Sequence, residues 1–276
     1  MPGFFIYNGK MFAAGDTPIS PDNRSFRFGD GLFETIRVRN ASMPLWPQHS
    51  SRLFHDMATL KFEIPKLFTS EKLEEDIHRV LQKNEIRNAR IRITVFRGDG
   101  GLYDMDNLQP NYIIQSWLLP EGPPPFNENG LQLGFFPAGQ KSMDQFANIK
   151  SNNFLIYAMA ALHAKEHNLN DALVLNSAGR IADAAIANLF WVKDDGIFTT
   201  ALSEGPVNGI MRSKIIESVP VTEMVISPDE LLLADEVFLT NAVRGIQWVA
   251  GIGETQGFDH AVSSRLYNEI ILPIFS

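Results

Sequence analysis

The segment Pro120-Glu121-Gly122-Pro123-Pro124-Pro125 constrains this chain more than any other. Consecutive prolines have fixed φ and no backbone N–H, so neither a helix nor a central strand can run through them. The reading places a linker at 120–129, a smaller N-terminal domain at 1–119 and a larger C-terminal domain at 130–276. The length of 276 residues agrees with that division, since about 150 residues is an ordinary domain.

Periodicity fills in both halves. Residues 3–9 read as a strand ending at the turn pair Asn8-Gly9. A glycine-flanked turn, Phe28-Gly29-Asp30-Gly31, precedes a strand at 33–38. Its alternation puts Phe33, Thr35 and Arg37 on one face and Glu34, Ile36 and Val38 on the other. A helix from Pro47 carries Leu53, Met57 and Leu60 at helical spacing, with Pro65 as its stop. Ser70 is the expected N-cap of a second helix with an acidic first turn. Strands follow at 89–96 and 112–119. The second half reads as strands at 131–136, 172–176, 188–192 and 236–240, with helices near 153–167 and 209–219. Strands and helices mix without the regular βαβ rhythm of a doubly wound sheet.

Composition narrows the chemistry. There is no cysteine, which excludes disulfides, thiolate metal sites and a thiol nucleophile. Lys plus Arg is 24 against 32 for Asp plus Glu, a formal charge of −8 that argues against a general nucleic-acid binder. No apolar run reaches the roughly 18 residues of a membrane helix, and the N-terminus lacks a leader's basic flank. The expectation is a soluble cytoplasmic protein. Phosphate-loop, zincin, nucleophile-elbow and dinucleotide-binding signatures are absent.

Five features could carry chemistry, and each alone also fits an ordinary structural role. Lys150, between a strand-like region and an apolar helix, could be drawn inside as a neutral, Schiff-base-forming amine; a surface loop lysine is the plain alternative. Gly205 to Arg212 is a glycine-bearing turn feeding a helix whose first amides suit an anion, as those of any helix would. Arg52, beside His49, could grip a phosphate or be solvated. Arg97, ahead of flexible glycines, suits a carboxylate or a charged turn. Asp183, in an apolar stretch, needs a partner if buried, and a pyridinium nitrogen would serve.

In order, these residues resemble the fold-type IV pyridoxal-phosphate enzymes, the class IV aminotransferase family. The resemblance runs through Ile6-Tyr7-Asn8-Gly9, Phe28 to Thr35, His49-x-x-Arg52-Leu53, Lys150, Gly179-x-Ile181-x-Asp183, Asn188-Leu189-Phe190, Gly209-Ile210-x-Arg212 and Ala234 to Phe238. It implies an α/β fold of two domains, a small α/β domain and a larger pseudo-barrel domain like that of D-amino-acid aminotransferase. It also implies a homodimer with its active site near the domain cleft, pyridoxal 5′-phosphate as cofactor, and a small amino substrate bearing a carboxylate. Lys150 matches the Schiff-base lysine and Arg52 the phosphate-binding arginine. Ile210 and Met211 match the amides that cradle the phosphate, and Asn241-Ala242 another phosphate contact. Arg97 is the expected partner of the substrate carboxylate.

The chain departs from the family at two of these places. Asp183 stands where the family usually has glutamate against the pyridine nitrogen, one methylene shorter. Ala242 stands where aminotransferases often have a hydroxyl, so only its backbone could serve. The stretches Val207 to Arg212, Ala187 to Trp191 and Arg97 to Gly101 look most like the aminodeoxychorismate lyase branch. Phe154, where many aminotransferases have tyrosine, fits the same branch. The leading expectation is therefore 4-amino-4-deoxychorismate lyase, releasing pyruvate and 4-aminobenzoate. The alternative is an amino-acid aminotransferase of branched-chain or D-amino-acid type.

Overall fold

The computed structural model describes residues 3–16, 18–103 and 107–276. Met1 and Pro2, part of the N-terminal stretch read above for leader character, lie outside the described residues. The chain divides into two compact units: Met1–Gly122 with Lys150–Asn153, and Pro123–Ile149 with Phe154–Ser276. The sequence reading puts Lys150 in the C-terminal half, whereas its contacts group it with the first unit.

The first unit is built on a five-stranded antiparallel sheet. Strands β1 (Phe4–Tyr7) and β2 (Lys10–Ala13) form the expected hairpin; Asn8 and Gly9 both take positive φ. A short helix α1 (Arg24–Phe28), not foreseen, is capped by the Asn23 side chain and stopped by Gly29 in the left-handed region. Then come β3 (Gly31–Val38), α2 (Trp46–Thr59), α3 (Ser70–Lys83), β4 (Ala89–Arg97) and β5 (Pro110–Leu118). The sheet order is β2-β1-β5-β4-β3. Helix α2 packs on β3, and α3 on β5 and β1. Leu53, Met57, Leu73, Ile77, Ile91, Ile93 and Ile114 are all buried there.

Two helix ends in this unit differ from the sequence reading in an instructive way. Helix α2 ends at Thr59, with Lys61 in left-handed geometry, so the chain has turned before it reaches Pro65. Thr69, not Ser70, caps α3, because its hydroxyl accepts from the Lys72 N–H.

One further segment completes the sheet edge. Residues Lys150–Asn153 lie against β3: Phe33 N–H donates to the Lys150 carbonyl at 2.9 Å, and Asn152 N–H to the Gly31 carbonyl at 2.8 Å. Gly31 permits this approach. A Cβ there would meet Asn152 Nδ2 and the Val95 carbonyl, each at 2.5 Å.

The second unit is a larger mixed sheet curled into a half-barrel. Its strands are β6 (Leu131–Lys141), β7 (Asp171–Asn176), β8 (Ile181–Ala184), β9 (Asn188–Lys193), β10 (Gly196–Thr200), β11 (Thr222–Met224), β12 (Glu236–Asn241), β13 (Gly245–Ile252) and β14 (Thr255–Gln256). The order is β11-β10-β9-β12-β13-β6-β7-β8, with β14 on β13. Helices are α4 (Leu155–Glu166), α5 (Ile210–Ser218), α6 (Pro228–Leu231), α7 (Ala261–Leu266) and α8 (Leu272–Phe275). Leu133, Leu173, Leu189, Val237 and Val249 belong to one core cluster. Tyr157, Ala160 and Ala164 of α4 pack with Phe136 and Val174 in another. Strand β6 is longer than its apolar run because it carries an irregularity between Phe136 and Gln140, where pairing with β7 shifts register.

Candidate active site

In the first unit, the strand alternation that put Glu34 on the same face as Ile36 and Val38 has a consequence. It drives a carboxylate into the core, where Glu34 is only 1% exposed. Such a charge requires partners. Helix α2 supplies them one turn apart: His49 Nδ1 lies 2.6 Å from Glu34 Oε2, and Arg52 donates through Nε at 2.8 Å and Nη2 at 2.6 Å. Burial pushes Glu34 up, but Arg52 and His49 outweigh it and hold it at about 2. Burial lowers His49, and the Glu34 charge does not fully offset that. The buried Nε2 of His49 lacks a hydrogen-bond partner. Glu34 takes two of the five donors of the Arg52 guanidinium.

Lys150 is anchored beside this triad. Its carbonyl is held by Phe33, its backbone N–H bonds the Asp56 carboxylate, and its ammonium lies 4.6 Å from the Phe33 ring centroid. Asp56, one turn beyond Arg52, is raised to about 6, chiefly by burial. Arg97 is engaged elsewhere. It donates to Asp30 Oδ1 at 2.5 Å and to the Leu60 carbonyl, and lies over the Phe62 ring. Asp30 is shared with Arg24 at 2.8 Å. A substrate carboxylate at Arg97 would have to compete with Asp30.

In the second unit, Asp183 on β8 is buried and accepts at Oδ2 from Tyr157 OH (3.0 Å) and Val207 N–H (2.9 Å). Lys141 Nζ, at the end of β6, is 3.6 Å from the same oxygen. Burial lowers Lys141, opposed by the charge of Asp183. Tyr157 is pushed well up by burial and by Asp183.

Residues Gly205 to Gly209 are pinned before α5 begins. Asn148 Nδ2 donates to the carbonyls of Pro206 (2.6 Å) and Leu202 (2.9 Å), and Asn188 Nδ2 to that of Val207 (2.7 Å). Gly209 is the N-cap and provides no side-chain cap, so the first turn, with Ile210 and Met211, keeps its amides for another acceptor. Arg212 faces Thr200 O and Glu223. The Asn241 side chain fixes that turn: its Oδ1 accepts from Val243 and Arg244 N–H, and its Nδ2 donates to the Ile186 carbonyl at 3.3 Å.

Within the first unit, then, Lys150 and Arg52 share a cluster and Arg97 belongs to a separate one. Within the second, Asp183 and the α5 start are joined through Val207. Sequence reasoning missed Glu34, Asp56, Lys141 and Tyr157. Only Glu34 left a signal, as an acid on an apolar strand face.

The model of the class IV amino-transferase family matches residues 31–252. The chain is 31% identical over 245 residues to the aminodeoxychorismate lyase of Vibrio harveyi, covering 86% of this chain and 88% of that protein. It is 24% identical over 259 residues to the D-alanine aminotransferase of Bacillus licheniformis, covering 91% and 89%. Among solved structures, a branched-chain aminotransferase from T.th., crystallised with pyridoxamine 5′-phosphate, superposes with a TM-score of 0.85 at 24% identity, covering 100% and 95%. The chain belongs to the class IV aminotransferase family, and it is a pyridoxal-phosphate-dependent enzyme.

The residues present fit that cofactor. A phosphate suits the uncapped start of α5, where a Cβ on Gly209 would fall 1.9 Å from Asn188 Oδ1. A buried carboxylate is present at Asp183, and a primary amine at Lys150. Among the described residues no cluster of three His, Cys, Asp or Glu is placed to hold a metal, and no helix is long and apolar enough to cross a membrane.

Proposed function

We propose that this enzyme is a 4-amino-4-deoxychorismate lyase, converting its substrate into pyruvate and 4-aminobenzoate. The observation that carries this choice is the 31% identity, over 86% of the chain, with the lyase of Vibrio harveyi, against 24% with the D-alanine aminotransferase. When bound, pyridoxal phosphate supplies an electron-accepting ring that eases removal of a proton beside the substrate nitrogen. Lys150 Nζ is the amine that would hold the cofactor, and when not so engaged it would serve as the base that moves that proton. Arg52 and the first amides of α5 at Ile210 and Met211 hold the phosphate, with the backbone at Asn241-Ala242 assisting. Asp183 pairs with the pyridine nitrogen, and its own hydrogen bonds fix the carboxylate in place. Arg97 is assigned to the substrate carboxylate, in competition with Asp30. The working enzyme is a homodimer in the cytoplasm. The domain division read from the proline segment, with its linker at 120–129, goes with this reading.

The second reading, an amino-acid aminotransferase, is favoured by the likeness to the D-alanine enzyme over 91% of the chain. Supplying aminodeoxychorismate without a keto acid separates the two. Pyruvate release is expected; its absence, with amino transfer from D- or L-amino acids, would reverse the assignment. Protein soaked in pyridoxal phosphate is expected to be yellow and to bleach with borohydride, leaving the label on Lys150. A colourless protein would overturn both readings.

A further inference from the structure

Lys141 stands in no motif, and the assignments above leave it without a task. It is 8% exposed at the end of β6, and its Nζ makes no hydrogen bond among the described residues. The amine faces two groups: Asp183 Oδ2 at 3.6 Å, and the ring of Tyr157 with its centroid at 5.0 Å. Asp144, in the loop after β6, adds a weaker attraction. Tyr157 and Val207 approach Asp183 as neutral hydrogen-bond donors. Lys141 brings a positive charge, and Asp171 on β7 a like charge that repels the carboxylate.

The β6 irregularity accounts for the placement. The register shift between Phe136 and Gln140 resets the strand, and Lys141 then pairs with Asn176 while its side chain is carried into the interior. A lysine buried to this extent is costly unless it is paired. The pair here is with the one carboxylate assigned to the cofactor ring.

We propose that Lys141 is a positioning residue for Asp183: its ammonium holds the shortened carboxylate ionised and aimed, so that aspartate can do what a glutamate does elsewhere in the family. The proposal rests on the reading of Asp183 as partner of the pyridine nitrogen. Two donors fix where Oδ2 lies, and the cation fixes its charge. Without Lys141, the buried carboxylate keeps its hydrogen bonds from Tyr157 and Val207 but loses that cation, while the like charge of Asp171 stays. It then meets an incoming heteroaromatic nitrogen as a weaker acceptor.

The test compares the cofactor-free wild type with Lys141→Met, Lys141→Gln and Lys141→Arg. Each is titrated with pyridoxal 5′-phosphate, and the visible band of the bound chromophore is followed against pH. Removal of the charge is expected to raise the Kd by about tenfold or more and to shift the pH profile of the band, while arginine keeps Kd within about threefold. Wild-type Kd and an unmoved profile in Lys141→Met and Lys141→Gln would overturn the proposal while leaving Asp183's role intact. A wild type that takes up no cofactor would overturn the role of Asp183 and the proposal together. Circular dichroism of the cofactor-free proteins covers the remaining case: if neither uncharged variant folds, Lys141 is a plain structural counter-ion and the proposal fails.

Discussion

Replacing Glu34 by glutamine removes one charge from a buried triad and keeps its shape. Arg52 and His49 together hold Glu34 at about 2 against an ordinary 4.5, despite the opposing effect of burial. That gap corresponds to about 3 kcal/mol of folding free energy at neutral pH. The figure agrees with the roughly 3–5 kcal/mol typical of a buried pair broken from one side. The substitution takes from the buried Arg52 guanidinium its hydrogen-bonded carboxylate charge, leaving the weaker attraction of Asp56. Because the folded value lies below the unfolded one, the contribution is complete above about pH 4.5 and is lost as pH falls through about 2. Urea unfolding of wild type and Glu34→Gln at a series of pH values measures the difference, and hydrogen exchange in α2 peptides localises it. The expected gap is about 3 kcal/mol at neutral pH, shrinking steadily in acid. A gap under about 1 kcal/mol, or one that stays constant with pH, would refute the account of Glu34 as an ionised anchor for Arg52.

Other consequences are as direct. Lys150→Ala is expected to abolish turnover while leaving far-UV circular dichroism unchanged; full residual activity would remove Lys150 from its role. Gly209→Ala must displace Asn188, whose amide also holds Val207 O. A loss of about 1–3 kcal/mol in thermal unfolding, with weaker phosphate-ester binding, should follow. Asp171 is raised to about 6 by burial, against 3.8 when free. Its contribution is therefore full below about pH 3.8 and lost as pH rises through about 6. Asp171→Asn, keeping Oδ1 for the N–H groups of Ala172 and Ala185, should stabilise the protein by up to about 3 kcal/mol in mildly alkaline buffer and hardly at all in acid. Equal effects at both extremes would count against that titration.

The sequence carried the fold where the signal was local. Asn8-Gly9 forms a turn with positive φ at both positions because few other pairs tolerate it. The apolar alternation of β4 reappears as buried Ile91, Ile93 and Val95. Caps were less legible: Thr69 and Ser70 are adjacent and chemically equivalent, so only the backbone geometry selects the first. The strands β8, β10, β11, β13 and β14 are short or lie beside stronger signals, and tertiary pairing rather than local pattern defines them. In the site, residues standing in motifs could be named, but those that support them could not. Tyr157 reads as one more apolar position on α4, and Lys141 as a polar residue beyond the end of a strand. Nothing local announces that a register shift turns that lysine inward, because the shift depends on pairing with β7, which follows only after the whole of α4.

The edge of the N-terminal sheet has a bearing on how the protein is made. Strand β3 is last in its sheet, and its rim at Leu32 and Phe33 is closed by Lys150 and Ser151. A ribosome releases those residues only after the whole of β6 has been synthesised. Until then the nascent first unit carries an unpaired rim of backbone donors and acceptors, the kind that invites association with other chains. A fragment ending at Gly122 would carry the same exposed rim permanently and should aggregate more readily than the full chain. Supplying the missing rung as a peptide spanning residues 148–154 should reduce that aggregation, so the loop bearing Lys150 would also act as the clasp of the domain it reaches back to.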